Sequence, residues 1–106
     1  MIQRYRLHLR GTSFENRPSY LNYLRANPNT PVWLERENNP YDANAIRAVA
    51  QIGSPVCIGY IPKEFAAIFA PMLDRNTAQL RLENTLVIGG GDRNFGCIAQ
   101  VSYITQ

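Results

Sequence analysis

Histidine occurs once in the chain, at His8, and cysteine twice, at Cys57 and Cys97. A structural zinc site draws its four ligands from such residues, so none is expected, and two distant cysteines make no disulfide framework. Each cysteine sits in a strand-like apolar run, Val56-Cys57-Ile58 and Gly96-Cys97-Ile98, where a buried thiol is expected. A Ser-His-Asp device would have to use His8, which falls on the polar face of an alternating segment, and no nucleophile-elbow sequence is present. The triple glycine at 89–91 lacks the Lys-Ser/Thr pair of a P-loop and reads instead as a loop between two strands. No apolar run approaches the ~18 residues needed to cross a bilayer, and Met1-Ile2-Gln3-Arg4-Tyr5-Arg6 has no signal-peptide stretch. An intracellular protein, in the cytoplasm or the nucleoid or nucleus, is expected. Lysine is nearly missing too: of 11 Lys and Arg only Lys63 is a lysine, and against 8 Asp and Glu the net charge is +3. That balance leans only weakly toward polyanionic partners, although arginine's planar fork suits phosphate.

With 106 residues, 45% of them hydrophobic, the chain is expected to form one domain over residues 1–106 around a single modest core. Gln3 to Arg10 alternates, with Tyr5, Leu7 and Leu9 on one face and Arg4, Arg6, His8 and Arg10 on the other, which predicts a half-buried strand with a basic outer face. Pro18 opens a helix whose Tyr20, Leu21 and Leu24 share a side, ended by Asn27-Pro28. Strands are predicted over Pro31–Glu37, Ala45–Gln51 and Val56–Ile61, separated by turn-forming stretches. From Lys63 to about Asn76 the spacing of Phe65, Ile68, Phe69, Met72 and Leu73 predicts a helix that buries all five, kinked or ended early by Pro71. Thr77–Ile88 and Phe95–Thr105 are the last two strands, joined across Gly89–Asn94. The fold expected is mainly β with two helices: a small OB-like antiparallel β-barrel of about six strands flanked by two α-helices.

Glu35, Glu37 and Asp42 form the one local acidic cluster. Magnesium-dependent hydrolysis would need a further group to activate water, and none stands at a suggestive spacing. Exposed carboxylates pairing with the abundant arginines are the expectation, with no metal and no cofactor.

The run Asn39-Pro40-Tyr41-Asp42-Ala43-Asn44-Ala45-Ile46, followed twelve residues later by Ile58-Gly59-Tyr60-Ile61-Pro62, resembles the HIRAN domain. Gly11 and Phe14 near the start, Arg17-Pro18 opening a helix, and the alanine-containing helix after Pro62 extend the resemblance over nearly the whole chain. The resemblance implies a modified OB-type barrel that binds single-stranded DNA and captures its 3′-hydroxyl end, a binding module and not an enzyme. Carried over by position, it implies Phe14 and Tyr41 as platforms for the terminal bases, Asp42 as acceptor for the 3′-hydroxyl, Lys63 as a backbone cation, and Phe95 near the DNA-binding face on a mobile Gly89–Asn94 flap. The physics of each role is sound: base stacking tolerates any sequence, and a carboxylate accepts from a hydroxyl but repels phosphate. Asn39, Asp42 and Asn44 are equally turn formers whose side chains bond local amides, so for Asp42 both roles stay open.

Ser13 departs from those members that carry an arginine before the aromatic, leaving Arg10, Arg17 or Arg93 to supply the charge. Residues 1–106 include no helicase or RING segment, so a helicase, nuclease or other protein is expected to act in trans. A protein-interaction module on the same fold is the alternative.

Overall fold

The computed structural model describes residues 1–105. Its elements run β1 (Ile2–His8), α1 (Arg17–Ala26), β2 (Val32–Arg36), β3 (Ile46–Ile52), β4 (Ser54–Tyr60), α2 (Lys63–Asp74), β5 (Ala78–Gly90) and β6 (Arg93–Thr105). The strands form two antiparallel three-stranded sheets, ordered β1-β6-β5 and β2-β3-β4. One bridge, Arg10 to Tyr60, links them where the chain leaves β1. The result is a half-open barrel with two helices, mainly β as the sequence predicts.

Alternation decides which side of each sheet faces the core. Leu7 and Leu9 point inward from the β1 segment, while Arg4, Arg6 and His8 stay exposed. Ala99, Val101 and Tyr103 continue the inner face across β6, and Ile46, Ala48 and Ala50 line β3. α1 closes the core with Leu21 and Leu24. α2 contributes Phe69, which stacks on Tyr103 at 4.8 Å between ring centroids and meets Tyr5 at 5.6 Å.

Gly59 suits this packing because a side chain there would push its neighbours apart. A Cβ there would stand 3.1 Å from the Arg10 carbonyl oxygen and the Leu9 Cβ. Beside it the β3–β4 register shifts between Ala48 and Val49, a bulge at Ile58 that turns Tyr60 toward the chain leaving β1.

Several expectations are corrected. Ile68 is 62% exposed. The buried residues of α2 are Ala66, Phe69 and Ala70, so two alanines rotate the buried arc away from Ile68, while Phe65, Met72 and Leu73 pack at its edge. Pro71 does not end the helix, which continues to Asp74. The carbonyl that Pro71 leaves without an amide belongs to exposed Ala67, where water can serve it. Pro62 is the N-cap of α2, and Lys63 is its first residue. Gly89–Asn94 is not a six-residue flap: β5 and β6 pair as far as Gly90 and Arg93, leaving only Gly91 and Asp92 as the turn. Gly89, Gly90 and Gly91 all take positive φ, which lets the strands bulge and reverse in so few residues. Cys97 is buried, and burial pushes its thiol up to about 11, but Cys57 is only half-buried.

Candidate nucleic-acid interface

The loop between β2 and β3 is built by side chains bonding its own backbone. Asn39 Oδ1 accepts from the amides of Tyr41 (2.9 Å) and Asp42 (2.8 Å), while Asn39 Nδ2 donates to Glu37 Oε2 at 2.7 Å. Asp42 Oδ1 accepts from the amide of Asn44 at 2.9 Å. Arg36 braces the loop from the far side, donating to the carbonyls of Ala43 (2.8 Å) and Ala45 (2.7 Å) and holding Asp74 in a two-point pair at 2.9 and 3.0 Å. Arg36 holds Asp74 below the usual carboxylate range. The turn role foreseen for Asp42 is therefore real, yet it occupies one oxygen only.

Held this way, the loop presents Tyr41 to solvent with 92% of its surface exposed. Across the barrel mouth the segment after β1 presents Phe14, 65% exposed, next to Glu15 in a left-handed backbone conformation. Arg17 ties this segment down: it donates to the Gly11 carbonyl at 2.7 Å and lies over the rings of Phe14 (5.9 Å) and Tyr60 (5.3 Å). Tyr60 in turn donates its hydroxyl to Glu37 at 2.8 Å; burial, then that hydrogen bond, pushes its pKa up to about 12. Glu37 thus connects the two walls, accepting from Asn39 on one and from Tyr60 on the other.

Between the walls lies a groove of about 510 Å³ lined by Phe14, Tyr41, Asp42 and Lys63 together with Arg10, Gly11, Glu15, Arg17, Asn39, Ala45, Tyr60 and Ile61. Four of the five residues singled out from the sequence meet there. Lys63 stands at the start of α2, whose N-cap Pro62 offers no side-chain acceptor, and Glu64 does not fold back as a cap. The helix start and Lys63 face an anion with the same sign of charge. Phe95 does not line the groove. Its ring lies beneath Arg25 of α1 at 5.2 Å, with Gly90 close to both, and its carbonyl accepts from Thr12 at 3.2 Å.

Tyr60, Glu37 and Arg36 build the site without a role assigned to them from the sequence. Arg17 was legible as a possible charge, but the pairing of distant walls through Tyr60 and Glu37 carries no local signal. Of the acidic cluster, Glu35 and Glu37 pair with Arg47, while Asp42 accepts from a backbone amide. Glu35 accepts from Trp33 at 2.7 Å and from Arg47 at 2.6 Å, and these two bonds lower its pKa. No cluster of three metal-ligating side chains occurs among the described residues.

The sequence model of the HIRAN domain matches residues 2–101. The chain belongs to the HIRAN family. It is 47% identical over 55 residues to the helicase-like transcription factor of Oryctolagus cuniculus, a match covering 51% of this chain and 5% of that protein. Its fold is similar to the crystal structure of the HIRAN domain of human HLTF, with a TM-score of 0.61 over 97% of this chain and 76% of that one, at 23% identity. The Asn39-Pro40-Tyr41-Asp42 segment lies within the matched residues and forms the groove wall that carries Tyr41 and Asp42. No helix among the described residues is long and apolar enough to cross a membrane.

Proposed function

We propose that the groove of this HIRAN domain binds the 3′ end of a single DNA strand without catalysing a reaction on it, in DNA repair or replication-fork processing. The observation that carries the reading is the convergence, in one groove, of two exposed aromatic rings, Phe14 and Tyr41, with the carboxylate of Asp42 and the cations Arg10, Arg17 and Lys63. Exposed rings cost the folded protein hydration and have a use when bases cover them; each stacked base contributes ~1–3 kcal/mol whatever its identity. The free oxygen of Asp42 suits a terminal hydroxyl. A phosphate in the same place would meet ~1–4 kcal/mol of repulsion at ~4 Å, depending on how much water remains. Lys63 and the start of α2 take the preceding phosphate, and Arg17 supplies the charge that Ser13 does not. Phe95, under Arg25, acts behind the groove wall and not in it. A helicase or nuclease working in trans would receive the captured end.

Fluorescence anisotropy tests this with labelled single strands ending in 3′-hydroxyl or 3′-phosphate, and with a duplex, at two salt concentrations. The 3′-hydroxyl strand should bind best, with affinity falling as salt rises at a slope of ~0.7 per phosphate contacted. Tyr41→Ala should weaken every single strand by ~1–3 kcal/mol, roughly 5- to 150-fold, with the thermal transition unchanged because the ring packs on nothing. Equal binding of all ends would reduce the groove to a general single-strand platform. No binding at low salt would assign it to a protein partner.

A further inference from the structure

Outside the groove, the outer face of the β1-β6-β5 sheet has no assigned role. Register places Arg4, Ser102 and Arg81 in one row across the three strands and Arg6, Gln100 and Asn84 in the next. The ion pairs among the described residues join Arg36 to Asp74 and Arg47 to Glu35 and Glu37. Arg4 and Arg6 on β1, and Arg81 on β5 with β6 between them, therefore have no carboxylate partner in any of these ion pairs. A shallow cleft of about 370 Å³ is lined by Arg4, Arg6, Gln100 and Ser102 together with Glu83, which forms no ion pair with either arginine. The same strand leads into the groove: β1 carries Arg4, Arg6 and His8 on this outer face, and the chain leaving it places Arg10 in the groove lining. From Arg4 to Arg10 is ~20 Å along an extended chain.

The geometry points to a second contact surface on which Arg4, Arg6 and Arg81 hold the phosphates of the same nucleic-acid strand as it runs back from the groove. The inference rests on the groove reading and adds a direction to it: the strand's end sits at Asp42 and its body follows β1. Two features favour a phosphate backbone over an acidic protein. Arg4 and Arg6 follow one another along β1 about 7 Å apart, Arg81 stands level with Arg4 two strands away, and the path is continuous with the groove proposed to take the end. At ~3.4 Å per stacked nucleotide, ~20 Å accommodates about six nucleotides beyond those in the groove.

The test compares oligodeoxythymidylates of about four and about twelve nucleotides, both with 3′-hydroxyl ends, since ~3.4 Å per nucleotide lets only the longer one reach Arg4. In the wild-type chain the longer strand should bind at least tenfold more tightly at low salt. The variant Arg4→Gln/Arg6→Gln/Arg81→Gln should bind the short strand as before, which also certifies its fold. It should lose the advantage for the long one, with its salt slope reduced by ~2 for three phosphates. Glu83→Gln should tighten the long strand and leave the short one alone. Equal affinity for both lengths, or a triple variant with an unchanged slope, overturns the second surface while leaving the groove standing. Failure of both strands to bind the wild-type chain overturns the groove reading and this surface with it.

Discussion

Asp42 divides its two oxygens between fold and groove, and one substitution separates those uses. Oδ1 accepts from the Asn44 amide, whereas Oδ2 has no protein donor among the described residues. Asn at this position keeps a carbonyl oxygen for the turn but loses the negative charge. Asp42→Asn should therefore leave thermal stability within ~0.5 kcal/mol, as expected where no packed or paired group is lost. It should erase the preference for a 3′-hydroxyl over a 3′-phosphate, read as the ratio of two dissociation constants by anisotropy. A retained ratio would remove Asp42 as the discriminating group and leave it a turn residue. At this scale the resemblance singles out exposed side chains whose neighbours are local: Tyr41, Asp42 and Phe14 line one groove. The sequence was unreadable where a distant element decides, as with Phe95. Nothing near Phe95 in the chain announces that Arg25, seventy positions earlier, lies over its ring.

The elements are legible for the same reason and fail at the same point. Period-two alternation fixes β1 because the whole strand has one wet face and one dry one. In α2 the large side chains predicted the helix but misplaced its buried arc. Alanine adds little to a hydrophobic stripe, yet Ala66 and Ala70 mark where the helix comes closest to the sheet. The glycines at 89–91 signalled a loop, whereas their positive φ serves a bulged hairpin that keeps pairing almost to its tip. The links between elements are mostly polar, and they set the pH response. Hydrogen bonds from Trp33 and Arg47 lower the pKa of Glu35 below its ordinary 4.5, and Arg36 lowers that of Asp74 below 3.8. A carboxyl depressed in the folded state contributes stability that is complete above its unfolded value and lost as pH falls through its folded one. Tyr60 has the opposite sign: its pKa is raised from 10.0 to about 12, so its contribution is complete below 10.0 and lost as pH climbs toward 12. Urea denaturation should thus show a stability plateau between those limits, falling below the carboxylate range and again in strong alkali. Glu35→Gln should flatten the acid limb and Tyr60→Phe the alkaline one; an unaltered limb in either variant would show that its ion pair or hydrogen bond has no part in it.

At the scale of the molecule, two sheets meet through a shared core and a single backbone bridge, and the groove opens at that bridge. The half-open barrel follows from this economy. Six strands and two helices bury one core, and the mouth where Arg10 and Tyr60 meet stays open. Whether residues 1–105 unfold as one unit is testable with the two thiols the chain already has. Cys57 lies in one sheet and is half-buried; Cys97 lies in the other, buried, with its pKa pushed up to about 11. Only a thiolate attacks a disulfide reagent, so native Cys57 should react in minutes while Cys97 waits for the core to open. Ala99 and Val101 share one core cluster with Cys97 and with Ile46, Ala48 and Ile58 of the other sheet. If the core is one cooperative unit, Cys97 becomes reactive only on global unfolding. The opening free energy from its labelling rate should then equal that from urea denaturation followed by the fluorescence of Trp33, which reports on the opposite sheet. Agreement within ~0.5 kcal/mol, the error of such extrapolations, makes the chain a single folding unit. A distinctly lower value for Cys97 would mean that the β1-β6-β5 sheet, with the arginine face it carries, opens independently of the groove.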